Sequence, residues 1–229
     1  MQKEDWNFSI TGAAKALAQL FPGTAVIASL YSEVEADQKE QKIKQLIEIK
    51  EKRVLDVIDT MRIELEAHAS RLNSDYVNSS DFYEIFISSV KKIADERNET
   101  KRIAFKNILL NGMFSQHSYD DTEEYIRLLD QLSYKHVVLL KLFYSPKDFA
   151  KENNIGFPSG NTLQSVMRKL LPSWEQDVLF DNLFDLENMR LIDRLTGSLQ
   201  VMMTSVTLDS LTGKLTSKGM TFVSNIIRL

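Results

Sequence analysis

The chain of 229 residues contains no cysteine. That absence removes disulfides, thiolate metal sites and thiol catalysis, and it fits a reducing compartment. Glycine and proline are scarce, at eight and four, so few turns interrupt long helical stretches. Histidine is scarcer still: His68, His117 and His136 stand far apart, with no H-x-x-x-H or H-E-x-x-H spacing to aim two imidazoles at one metal. No excess of positive charge exists either. The 28 Lys+Arg against 32 Asp+Glu leave −4, so general nucleic-acid binding would need a local patch. Phosphate-cradling stretches of the G-x-x-x-x-G-K-S/T or G-x-G-x-x-G kind and a G-x-S-x-G elbow are also missing. Asp120-Asp121 and Glu123-Glu124 form an acid cluster, but at a loop-to-helix junction they complement the helix dipole. The sequence therefore predicts no catalytic residue, no cofactor and no metal. Met1-Gln2-Lys3-Glu4-Asp5-Trp6 lacks the basic start and apolar core of a signal peptide, which predicts a cytoplasmic protein.

What is present is helical periodicity. Ser9–Phe21 reads as a short Ala-rich helix stopped by Pro22-Gly23, with Thr24 placed to cap a second. From about Val34 to Leu72 runs the longest pattern, with Ile43, Ile47, Lys50, Val54, Val57, Met61, Leu65, His68 and Leu72 at steps of three and four. Because Lys50 and His68 sit on that seam, the spine predicts an antiparallel partner within the chain rather than a long coiled-coil dimer. Ser79-Ser80-Asp81 offers caps for Phe82–Glu96, and Asn98 caps Thr100–Asn111, which Gly112 would close in a left-handed terminus. These elements predict an N-terminal helical bundle over residues 1–115, followed by a polar loop.

Over 121–229 the order changes. Glu123–Gln131 is a short helix, Ser133 caps Tyr134–Phe143, Thr162–Leu171 makes the next helix and Trp174–Leu195 a longer one. Met202, Thr204, Val206 and Leu208 then alternate with Met203, Ser205, Thr207 and Asp209, a strand period. A hairpin turn is expected at Asp209–Gly213, ahead of a closing helix that begins with the L-T-x-x-G of Leu215, Thr216 and Gly219. This order resembles the winged helix-turn-helix family over Tyr134–Leu229. The resemblance implies a mainly α chain whose C-terminal domain is α+β with one β-hairpin, and a third helix that enters a DNA major groove.

The third helix departs from that pattern. Trp174–Leu195 holds six acids and two bases, a net of −4, and duplex DNA, with one negative charge per ~1.7 Å of axis, repels such a helix. Expected protein-contact residues are thus Glu175, Asp177, Asp181, Asp185 and Arg190, on a module that binds protein. A DNA-binding regulator is the alternative, working through Arg168, Lys169, Lys214 and Lys218. A third possibility is a membrane-active effector, because Ile10–Tyr31 holds one charged residue, Lys15, in 22.

Across the whole chain, an Ala/Gly-rich start, a long charged helix, Lys101-Arg102-Ile103-Ala104-Phe105-Lys106-Asn107-Ile108-Leu109-Leu110-Asn111, and Leu128–Ser133 leading into Leu139–Leu142 resemble the layout of helical bacterial proteins grouped as the abortive-infection alpha family. That resemblance implies a bacterial or phage-related setting and a part in phage defence. It carries over no site residue. The expected function is a non-enzymatic interaction or adaptor protein with a protein partner or a second copy of itself.

Overall fold

The computed structural model describes residues 37–114, 119–203 and 205–227. The Ser9–Phe21 helix, its Pro-Gly break, the Ile10–Tyr31 segment and His117 lie outside the described residues. Two compact units divide the chain, Met1–Arg127 and Leu128–Leu229.

In the first unit the spine is α1, Asp37–Ala67. Val54, Val57, Met61 and Leu65 fall on one stripe and are buried, as the seam predicts. A short α2, Ser74–Val77, precedes α3, Ser80–Asp95, which Ser79 starts by accepting from the Phe82 amide at 3.1 Å. Phe82, Ile85, Phe86, Val90 and Ile93 make its buried face, and Ser89 fits among them because its hydroxyl donates to the Ile85 carbonyl at 2.8 Å.

The third long helix is α4, Glu99–Phe114. It packs on α1 and α3, and every residue from Ala104 to Met113 is buried. A helix buried on all sides must satisfy its polar groups internally. Lys106 does so across the bundle, its ammonium 2.6 Å from the Glu64 carboxylate of α1, both side chains about 6% exposed.

Gly112 does not close this helix in a left-handed turn. The helix runs on to Phe114, and a Cβ at Gly112 would lie 3.4 Å from the Thr122 hydroxyl and 3.8 Å from the Tyr76 ring. Its small size serves close approach of α5, Tyr119–Gln131, rather than a turn.

The second unit is built around α6, Tyr134–Tyr144, whose Val137, Leu139, Leu140, Leu142 and Phe143 are essentially inaccessible. Helix α7, Pro146–Glu152, packs against it, as do α9, Gln176–Asn188, and α10, Ser217–Ile226. Helix α8, Leu163–Leu170, packs on a 3-10 turn at Leu208–Leu211.

Here the structure corrects the α+β expectation: the fold is mainly helical, and no β-strand occurs among the described residues. The winged-helix assignment of the C-terminal domain fails with it. The physical reason is visible on both arms of the expected hairpin. Val206 exchanges both backbone bonds with Gly160, at 2.9 and 2.8 Å, and the Met203 amide donates to Asn161, so the first arm pairs with the loop before α8. The turn at 209–213 is instead drawn into a 3-10 turn, with Leu208 and Leu211 buried and Thr207 and Ser210 closing a capping box. On the second arm, Leu215 bridges Ile192, and the Asp193 amide donates to the Lys214 carbonyl at 2.8 Å. Each arm is already occupied. The alternation itself holds over 205–209, where Val206 and Leu208 are buried and Ser205, Thr207 and Asp209 exposed, whereas Met202, on the same phase, is 78% exposed.

Candidate functional site

Helix α9 has two unlike faces. Leu179, Leu183 and Leu186 recur at steps of four and three and are buried, which fixes the helix on α6. On the other side Asp177, Asp181, Phe184 and Asn188 follow steps of four, three and four, so they share one outward stripe. Phe184 is 56% exposed there. Glu175, at the N-cap, and Asp177, in the first turn, sit where negative charge complements the helix dipole.

The other two acids of α9 are engaged. Glu187 holds the following loop, accepting from the Leu195 and Thr196 amides at 2.5 and 2.7 Å and from the Thr196 hydroxyl at 2.8 Å. Asp185 has a carboxylate oxygen 3.4 Å from His136 Nε2. The helix ends where the Leu191 amide returns to the Leu186 carbonyl at 2.9 Å, with Arg190 in the left-handed region at φ 57°, a Schellman-type stop. Arg190 therefore carries a backbone role in addition to its exposed side chain. Its carbonyl accepts from the Thr216 hydroxyl at 2.6 Å.

Ser133, His136 and Asp185 bring a hydroxyl, an imidazole and a carboxylate into one neighbourhood. Their bonds are not those of a nucleophilic triad. His136 Nδ1 accepts from the Ser133 backbone amide at 3.0 Å, while the Ser133 hydroxyl accepts from the His136 amide and reaches the Asn182 side-chain oxygen at 3.2 Å. The imidazole cannot take the hydroxyl proton through a nitrogen that already accepts an amide. Both residues serve a capping box at the start of α6.

The basic residues of the DNA-binding alternative are distributed as follows. Lys169, in the last turn of α8, donates to the Ser159 carbonyl at 2.6 Å and fixes the loop before that helix, with Arg168 exposed beside it. Lys214 lies on the bridged segment opposite Asp193, and Lys218 is exposed in the first turn of α10. The hairpin that was to present Lys214 and Lys218 as a wing is absent among the described residues.

An apolar rim lies elsewhere on this unit. Phe157, Val201, Met202 and Met203 are all at least half exposed, and the Gly160 and Asn161 bonds hold their two segments side by side.

In the first unit a charged group sits in the turn between α3 and α4. Glu96 accepts from the Asn98 amide at 2.8 Å and meets the Lys101 ammonium at 3.0 Å. Burial raises its carboxyl pKa, but the Asn98 amide and Lys101 outweigh that effect and hold it below its ordinary value. Burial likewise raises the Tyr76 phenol and lowers the Lys141 ammonium against the attraction of Glu152. Among the described residues no three His, Cys, Asp or Glu side chains converge on a metal position, and no helix is long and apolar enough to cross a membrane.

Comparison with protein-family models, curated proteins and solved structures finds no match.

The candidate site is then the outward stripe of α9. Composition singled out its acids and passed over Phe184, whose exposure follows only once Leu179, Leu183 and Leu186 are known to face α6. The available signal was Phe184 falling seven residues after Asp177, on the charged side of the wheel.

Proposed function

We propose that the chain is an interaction protein without catalytic activity, which binds a basic protein surface through α9. The observation that carries this reading is Phe184, an aromatic ring more than half exposed on a stripe it shares with Asp177 and Asp181. Exposed aromatics are the residues around which interface energy concentrates, and flanking acids steer a basic partner into register. The winged-helix part of the expectation does not enter, because the hairpin it requires is absent among the described residues.

The test is capture from the native lysate after nuclease treatment, with wild type, Phe184→Ala and Asp177→Lys/Asp181→Lys as baits and quantitative mass spectrometry as readout. Truncating a central aromatic anchor costs about 2 kcal/mol or more, so a direct partner falls at least ~30-fold with Phe184→Ala. Equal recovery by all three baits refutes the α9 face, and recovery that vanishes with nuclease treatment refutes a protein partner. A phage-defence setting, which rests on resemblance alone, is tested by plating efficiency of phages on cells with and without the protein.

A further inference from the structure

With no cysteine in the chain, every sulfur belongs to a methionine. A two-electron oxidant that would elsewhere find a thiolate therefore meets thioethers. Burial separates the described ones into clear groups. Met61, Met113 and Met167 are at most 2% exposed, Met189 is half-buried, and Met220 on α10 is 43% exposed, whereas Met203 and Met202, adjacent in sequence, reach 50% and 78%. Among the described residues no large hydrophobic side chain is more exposed than Met202.

The backbone holds this exposure in place. Leu199 and Val206, both fully buried, anchor the segment on either side: the Leu199 carbonyl accepts from the Gln164 amide at 3.1 Å, Val206 pairs with Gly160, and the Met203 amide donates to the Asn161 carbonyl at 2.8 Å. Residues 201–203 are thus kept outside between two inward anchors. With Phe157 they form the apolar rim already described, and neither methionine contributes to the core.

The chemistry open to such a pair is oxygen transfer from a peroxide. The sulfur lone pair attacks one peroxide oxygen, an S–O bond forms as the O–O bond breaks, and the departing hydroxide gains the hydroxyl proton of the transferred oxygen through solvent to leave as water. Sulfur loses two electrons and the peroxide gains them. The sulfoxide is polar where the thioether was apolar, and dithiol-dependent reductases, one for each epimer, return it to the thioether with release of water and formation of a disulfide.

We propose that Met202 and Met203 form a reversible oxidation site, at which a peroxide turns the rim they share with Phe157 and Val201 from apolar to polar while the fold stays intact. The test treats the full-length protein with hydrogen peroxide and follows each methionine by peptide mass spectrometry over time. Met202 and Met203 should oxidise about threefold or more faster than Met220 and at least ~10-fold faster than Met61, Met113 and Met167, in line with their access to solvent. Oxidised wild type should elute earlier from a hydrophobic-interaction column, where untreated Met202→Gln/Met203→Gln elutes, and the two sulfoxide reductases with a dithiol should restore the original position. Met202→Leu/Met203→Leu, apolar but inert to peroxide, should not move under the same treatment. The Tm of the oxidised protein should stay near that of wild type, since changes at exposed positions cost within about 0.5 kcal/mol.

Oxidation of Met220 or of the three buried methionines at the same rate as Met202 overturns the proposal. So does an elution shift that persists in the Met202→Leu/Met203→Leu variant, which would place the change at another residue. A cooperative loss of helix by circular dichroism on oxidation of 202 and 203 also overturns it, because the pair would then belong to the packing, and failure of the reductases to restore elution would remove the reversibility it claims.

Discussion

Gly219→Ala tests how the second unit is closed. A Cβ at Gly219 would stand 1.8 Å from the Leu191 carbonyl oxygen, 2.8 Å from its carbon and 3.2 Å from its Cα. These are backbone atoms, so no rotamer change makes room. To restore even 3.0 Å, the start of α10 must withdraw by about 1.2 Å from the 190–193 segment.

Three bonds cross that gap: the Thr216 amide to the Leu191 carbonyl at 3.1 Å, the Thr216 hydroxyl to the Arg190 carbonyl at 2.6 Å, and the Asp193 amide to the Lys214 carbonyl at 2.8 Å. At ~1 kcal/mol each their loss costs about 3 kcal/mol. Alanine returns about 1 kcal/mol through its higher helix propensity, so a net loss of ~2 kcal/mol is expected. For a unit of this size that corresponds to a drop in Tm of roughly 8–16 °C. Thermal melts followed by circular dichroism read it directly. Gly156→Ala and Gly197→Ala are the controls, because a Cβ meets nothing within 4 Å at either position. A Gly219→Ala melt within about 2 °C of wild type, on the scale set by the entropy of unfolding, refutes the steric account of the L-T-x-x-G stretch.

The buried Lys106–Glu64 pair predicts strong non-additivity in urea unfolding: Lys106→Met or Glu64→Leu alone strands a buried charge and costs about 3–5 kcal/mol, whereas the double variant is near neutral or stabilising. A double variant no better than the singles would show that the pair is solvated. At the α3–α4 turn the folded pKa of Glu96 is depressed, so its contribution is present above the unfolded value of ~4.3 and is lost as pH falls through the lower folded value. Glu96→Gln should flatten the acid limb of a Tm profile below that unfolded value, and an unchanged limb would assign it to other carboxylates. Phe184→Ala should leave Tm nearly untouched, since the ring is 56% exposed and surface changes stay within about 0.5 kcal/mol; a larger loss would make Phe184 a packing residue and remove it from the proposed interface.

The candidate site was half legible in the sequence. Glu175, Asp177 and Asp181 stood out as acids and are exposed. Composition alone did not separate Asp181 from Asp185, whose carboxylate lies 3.4 Å from His136 Nε2, because that neighbour comes from α6, on which α9 packs. Lys101–Asn111 misleads in the opposite sense. Its lysines and asparagines suggest a wet face, yet Lys101, Lys106, Asn107 and Asn111 are buried, and Lys106 becomes tolerable there only because Glu64 arrives from another helix.

Sequence by itself determined the features that local physics governs. Steps of three and four placed the buried stripes of α1 and α3, and Ser79, Ser133, Thr162 and Thr216 each start the helix they precede by accepting from a first-turn amide. These features depend on side chains within about one turn of each other. Only tertiary structure decided the fate of residues 200–216. Their alternation satisfies a strand locally, but a strand needs a partner edge, and the available edges were those of Gly160 and Ile192. Backbone pairing is a competition among segments distant in sequence, and periodicity carries no information about which of them wins.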